Sequence, residues 1–354
     1  MNHSFKPGQV WLDTYGKPIE AHGGAVWYDE KEDIYYLYGE NKDHTDGKCG
    51  IWTWGLRYYS SRDLYNWKDE GYLIEPCPED PEHPMFPENR IDRPHVIQNA
   101  EGKMILWIKY SGERACFSIW QADTFTGPYT LVRDKFRPLD KKVGDFDLIR
   151  DKNGTVYIFF DSDHAGIMQM ELTPDCMEVT GDAIIHRGGL HPPFVREAPA
   201  LFSRKGKYYL TTSGMTGYLP NPSESAMADK ITGPYAVQGN LHPEDETCSS
   251  YSSQISQIFK HPKIEDLYIA IADRWVPDYG ASREVYESVV RAIASHFEPD
   301  QYKASQKDLE NLSASPMLAS ADTSKATYVW LPIRFDGEQP VIDWTDEWRL
   351  EDYQ

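Results

Sequence analysis

The stretch of this sequence that most suggests chemistry is H-P-P-F-V-R-E-A-P-A-L-F over residues 191–202. In it one carboxylate, Glu197, follows a cation, Arg196, and precedes a small, stiff Ala198-Pro199. Pro199 lacks a backbone N–H and steers Ala198 away from helix, so Glu197 is expected just outside the ladder of the strand that follows. A carboxyl group fixed there among aromatics can have a raised pKa and act as a proton donor. The alternative is a surface glutamate paired with Arg196, which would matter little. How the rest of the chain repeats around this point decides between them.

A unit of apolar strand, turn and Tyr-rich strand occurs five times, around residues 22–40, 93–110, 145–160, 197–213 and 253–272. Each reads as a β-hairpin. An outer half repeats as well: A-D-T-F-T-G-P-Y over 122–129 returns as A-D-K-I-T-G-P-Y over 228–235, and Y-S-S-R-D-L-Y-N-W over 59–67 is a variant. Units of roughly 50–70 residues with four strands each predict an all-β fold, a five-bladed β-propeller, because radial repetition protects sheet edges. A β-sandwich is the alternative, and the near-verbatim echo counts against it. In a propeller the first strands of the blades line the axis. Their starting residues, His22-Gly23-Gly24, Asp92-Arg93, Asp145, Arg196-Glu197 and Gln254, then converge on one pocket.

The Pro-rich run over 76–87 cannot be a central strand and is expected to form a wall of that pocket. Residues 280–325 read as a partly helical insertion in or after the fifth blade, within a single domain spanning 1–354. Ser282 is its expected N-cap, and Val285, Val289, Ile293 and Phe297 lie at four-residue spacing. The insertion would pack on the flank, contact a second copy of the chain as a homo-oligomer, or serve as a lid. V-I-D-W-T-D-E-W over 341–348 is expected to pair with G-Q-V-W-L over 8–12 and close the ring.

Composition narrows the partners. The 354 residues carry 11 Trp, 23 Tyr and a formal net charge of −20. That acidity argues against nucleic acid or an anionic membrane and is compatible with a neutral sugar. Five scattered cysteines without C-x-x-C spacing suggest neither zinc nor a disulfide framework. The first residues show no apolar signal segment, so a reduced, cytoplasmic setting is expected. Eleven histidines show no metal-binding spacing, so no cofactor or catalytic metal is expected, with an axial structural cation left open.

On these residues the chain resembles the family 43 glycoside hydrolases, which are five-bladed β-propellers. R-E-A-P-A-L-F looks like that family's general-acid motif. The likeness is closer to the exo-β-1,3-galactanase branch. Its marks are W-L-D-T-Y-G-K-P-I over 11–19, A-H-G-G over 21–24, Y-G-E over 38–40, T-G-Y-L-P-N over 216–221, Ser253-Gln254 and Y-V-W-L-P over 328–332. Like that branch, the chain has His22-Gly23-Gly24 where most of the family carry a catalytic-base Asp. The resemblance implies Glu197 as general acid and Gln254 as the residue positioning water, assisted by Asp92, which stands where the branch usually has Glu. Gly144 stands where the branch tends to have Arg.

The expected reaction is inverting, exo-acting hydrolysis of β-1,3-galactan-type oligosaccharides, with Glu40, His22, Arg93, Tyr110, Asp145, Thr216 and Trp275 holding the sugar. Structural readings stand beside several of these: core or channel packing for Tyr110 and Trp275, a strand cap for Asp145, and a blade-to-blade hydrogen bond for Gln254. The alternatives in function are an α-L-arabinofuranosidase or β-xylosidase on plant oligosaccharides, a non-catalytic sugar-binding propeller, and a protein-interaction propeller.

Overall fold

In the computed structural model, which describes residues 1–316 and 321–354, the Tyr-rich runs are strands covered on both faces. Met104–Tyr110 is buried at every position, and Ile34–Glu40 at all but its first. Outer strands such as Thr130–Phe136 and Ala236–Asn240 are largely exposed or half-buried. Sheets stacked side by side around an axis produce this gradient, since only their outer edges meet water. There are five such sheets among the described residues, each an antiparallel meander in chain order. The innermost strands are His22–Asp29, Ile91–Gln98, Phe146–Arg150, Arg196–Arg204 and Gln254–Lys260, and each packs on the next, the last on the first. The fold is therefore a five-bladed β-propeller.

An innermost strand has a free edge facing the axis, where backbone groups lack a strand partner. Side chains from neighbouring blades supply one. Gln257 brackets Val26, accepting from its N–H at 2.8 Å and donating to its carbonyl at 3.2 Å. Tyr38 Oη accepts from the Val96 N–H at 2.8 Å, and Asp147 Oδ2 from the Leu201 N–H at 2.7 Å. These polar staples tie adjacent blades in register. The repeated T-G-P-Y is one bend used twice, with Gly127 and Gly233 at φ +82° and +80° ahead of cis Gly–Pro bonds.

The ring closes differently from expectation. Phe5, not residues 8–12, pairs with Trp348, and their rings stack at 4.3 Å. Residues 12–18 fold back on themselves instead: Asp13 Oδ1 accepts from the N–H groups of Tyr15 and Lys17, and Leu12 bridges Pro18. Their strand-forming capacity is spent locally.

Two helices, α1 (Arg283–Phe297) and α2 (Gln306–Ala314), lie between the second strand of the fifth blade and its outer strands. Residues 317–320 of the expected insertion lie outside the described residues. Ser282 caps α1, accepting from the Val285 N–H at 3.3 Å. The buried stripe is Ser288, Val289, Ala292 and Ala294, rotated from the expected one. The cause is polar: Ser288 Oγ donates to Asp308 at 2.6 Å and accepts from Asn311 at 2.8 Å, which draws α2 onto that face. Phe297 stays 44% exposed and stacks on His191, while Tyr302 packs on Phe194. The insertion thus rests on the loop that leads into Glu197.

Candidate active site

Register slips at the start of four of the innermost strands, between His22 and Ala25, Asp92 and His95, Glu197 and Ala200, and Ile255 and Gln257. At three of them a residue turns left-handed: Gly23 at φ +59°, Arg93 at +48° and Ala198 at +50°. Such bulges bend a strand and re-aim the side chains beside them. Glu197 is consequently inside the ladder, paired with Ser213, and not beyond its end as Pro199 suggested. The missing N–H of Pro199 falls within the bulge, where no ladder bond is needed.

The bulged ends surround a cavity of about 410 Å³ lined by Glu40, Asp92, Arg93, Asp145, Glu197, Gln254 and Trp275, among others. Three expected sugar contacts are absent from its wall. His22 is 1% exposed, stacks on Tyr328 and places Nδ1 2.9 Å from Asp273. Tyr110 is in the core between blades, donating to Ser118 at 3.1 Å. Side chains alternate along a strand, so its neighbour Lys109 faces the cavity instead. Thr216 braces its own loop, donating to the Leu219 carbonyl at 2.7 Å and accepting from Asn221 at 2.8 Å. That loop carries Tyr218, Leu219 and Pro220 into the wall.

Most of the acidic groups here are tied down. Lys109 Nζ donates to Asp145 at 2.6 Å and lies 3.2 Å from Asp92. Arg93 Nε lies 3.1 Å from Asp145. Asp92 also accepts from Trp52 Nε1 at 2.7 Å and from Ser111 Oγ. Glu40 lies 2.6 Å from the fully buried Lys42 and accepts from the Arg93 N–H at 3.1 Å. Burial still raises its carboxyl to about 7, against the pull of Lys42. Asp273 accepts from the Gly23 N–H at 2.9 Å.

Glu197 differs. Among the described residues no hydrogen bond or ion pair engages its carboxyl, and Arg196 points away, donating to Thr212 and to the Pro222 carbonyl. Burial raises its pKa well above the usual range, and the charges of Asp145 and Asp161 raise it further, against Lys109 and Arg93. Burial alone would raise Asp145 too, but Arg93 and Lys109 outweigh it and hold that group low. Carboxyls driven apart in this way divide into a proton donor and a fixed anion.

Gln254 bridges blades as well as facing the cavity. Its Oε1 accepts from Arg93 Nη2 at 2.5 Å, and its Nε2 donates to Ser213 at 3.0 Å, which fixes which end of the amide carries the oxygen. Tyr218 stands edge-on to Trp275 at 6.0 Å and packs on Trp52 at 6.2 Å, forming an aromatic side. Glycines make the fit possible. A Cβ on Gly23 would lie 2.4 Å from Glu40 Oε1 and 3.1 Å from Trp275, so a carboxylate-bearing residue has no room there.

Lys109, Asp161, Ser213, Tyr218 and Asp273 line the cavity but were not selected as site residues from sequence. Four of them share a signal with Glu40: each lies at or near the end of a blade's second strand, opposite the start of the first. Lys109 pairs with Asp92, Ser213 with Glu197 and Asp273 with Gln254, while the Asp161 N–H donates to the Asp145 carbonyl.

Comparison with known proteins agrees with this architecture. The profile described as Glycosyl hydrolases family 43 matches residues 21–285. No curated protein matches the chain. Among solved structures, a family 43 β-1,3-galactosidase shares 29% identity at a TM-score of 0.79 over 100% of this chain, which spans 65% of that protein's length. A second family 43 β-1,3-galactosidase, solved with galactodeoxynojirimycin, shares 25% identity at 0.76, with 98% and 100% covered. An exo-β-1,3-galactanase from Phanerochaete chrysosporium, with β-1,3-galactotriose, has the same fold at 22% identity and a TM-score of 0.74, covering 98% of this chain and 68% of its own. With more than half of its length matched by the profile, this chain belongs to glycosyl hydrolase family 43.

Proposed function

We propose that the protein is an inverting, exo-acting β-1,3-galactosidase that releases galactose from β-1,3-galactan-type oligosaccharides. The observation that carries this reading is the Glu197 carboxyl, unengaged and raised in pKa on the wall of a cavity whose other acids are mostly bonded. The choice of galactose is supported by the β-1,3-galactosidases among its structural relatives.

Glu197 donates its proton to the glycosidic oxygen as the bond to the anomeric carbon breaks. A water attacks the opposite face of the sugar, and inverting sites leave roughly 6.5–9.5 Å between the two groups for it. Arg93 and Ser213 orient the Gln254 amide so that a lone pair of Oε1 is available to that water. Asp92 assists as a neighbouring anion, fixed by Trp52, Ser111 and Lys109. Glu40 and Arg93 are placed for sugar hydroxyls, and Trp275 offers a ring face. A cavity of 410 Å³ falls in the about 300–1,000 Å³ range of small-ligand sites.

Glu197→Gln tests the assignment. Turnover of β-1,3-galactobiose should fall by about 10²–10⁴-fold while galactose still binds. Unchanged turnover would remove Glu197 from the mechanism. Cleavage of aryl arabinofuranosides or xylosides in preference to galactobiose would replace the substrate assignment.

A further inference from the structure

Asp161 has no task in the mechanism above. It ends the strand Val156–Asp161, is 4% exposed and lines the cavity. Among the described residues its Oδ1 is buried without a hydrogen-bond partner, and Oδ2 lies 3.6 Å from His164 Nδ1. Leaving a buried acceptor unmatched is costly, and more so for a charged group. The fold nevertheless makes room for it: a Cβ on Gly144 would lie 2.3 Å from Asp161 Oδ2, so glycine is what admits the carboxylate.

Position indicates what it meets. At the inner end of the cavity Glu40 and Asp273 are buried, with Gly23 packed against Glu40 and Trp275. On the third blade the cavity opens, because Asp163 and His164 are exposed, the His164 side chain to 62%. Asp161 lies two residues before the exposed Asp163, lines the same cavity as Glu197 and is close enough for its charge to act there. The leaving group departs on the side of the proton donor, and Asp161 is an acceptor near that donor.

We propose that Asp161, backed by His164, is a hydroxyl-accepting site for the leaving-group sugar and helps select a saccharide there. The inference rests on the glycosidase reading above and adds recognition beyond the scissile bond. Lys109 is bound to Asp145, and Lys142 also lines the open side.

The test is calorimetric binding of galactose and of β-1,3-galactobiose to Glu197→Gln protein, whose slowed turnover leaves the disaccharide largely intact during the titration. Galactobiose should bind more tightly than galactose. Adding Asp161→Ala should weaken galactobiose about tenfold, near 1.4 kcal/mol, and leave galactose within about twofold. Asp161→Asn, which keeps an acceptor oxygen, should recover part of the loss. Preserved galactose binding also reports an intact fold. Should Asp161→Ala not fold, Gly144→Ala crowds the same carboxylate and is expected to give the same selective loss. An unchanged ratio of the two affinities overturns the inference, whether neither sugar is weakened or both are weakened equally, the second marking a structural role. Absence of galactobiose binding in the Glu197→Gln protein itself overturns the galactosidase reading, and the inference with it.

Discussion

Asp145 and Glu197 feel the same cavity in opposite ways, because two cations bond to one and, among the described residues, no donor bonds to the other. This sets the sign of a pH effect. In the proposed mechanism Glu197 acts protonated, so kcat/KM should fall as pH rises through its raised pKa. Asp145→Asn removes a negative charge facing Glu197 and leaves Arg93 and Lys109 less neutralised, and both changes lower that pKa. The basic limb of the profile should move down by about one pH unit, measured as kcat/KM on galactobiose from acid to mildly alkaline pH; an upward shift would contradict the assignment. Gly23→Ala is expected to abolish sugar binding, since its Cβ falls 2.4 Å from Glu40 Oε1 and φ is +59°. Calorimetry with galactose reads this directly. At this scale sequence reached the strand starts well and the facing second strands poorly. Glu40 is recognisable from Y-G-E, whereas Tyr110 draws attention as an aromatic near a strand end and its neighbour Lys109 carries no such mark in the sequence. Only the pairing register, with Lys109 opposite Asp92, reveals which of the two faces inward.

Elements in this fold are held by the polar staples along their inner edges. Asp147 is the informative case: burial raises its carboxyl to about 7 from 3.8, although the N–H groups of Leu201 and Leu148 pull the other way. A carboxyl raised in the folded state favours the protonated form there. Its contribution to stability is therefore full below the unfolded pKa and is lost as pH rises through the folded one. Asp147→Asn, permanently neutral, should gain stability relative to the native protein as pH rises from about 4 to about 7. Urea midpoints at several pH values check this, and a constant difference would show that Asp147 does not titrate in that window. The five hairpins and the T-G-P-Y bends were legible because alternation and turn residues are local. The stripe of α1 was not, since an arriving α2 decides which face is buried, and Ser288 and Asp308 do not resemble core residues in sequence.

For the whole molecule, closure of the ring is the distinctive demand. Phe5 and Trp348 join the chain ends, and Trp348 Nε1 donates to the Trp330 carbonyl at 2.9 Å. Trp348→Ala should cost about 3–5 kcal/mol, seen as a lowered urea midpoint; a change under about 1 kcal/mol would mean the ring is closed mainly by the staples between the fifth and first blades. The repeat made the propeller readable, but the closing contact was misplaced because the apolar alternation of residues 8–12 gives no hint of the local turn at Asp13. The ring brings Glu197 and Gln254 from separate blades to one cavity, where the proposed mechanism has them act on one sugar. Time-resolved proton NMR of β-1,3-galactobiose hydrolysis tests that most directly. The account predicts that α-galactose appears first and mutarotates to the β-anomer afterwards; initial release of β-galactose, or no release at all, would contradict it.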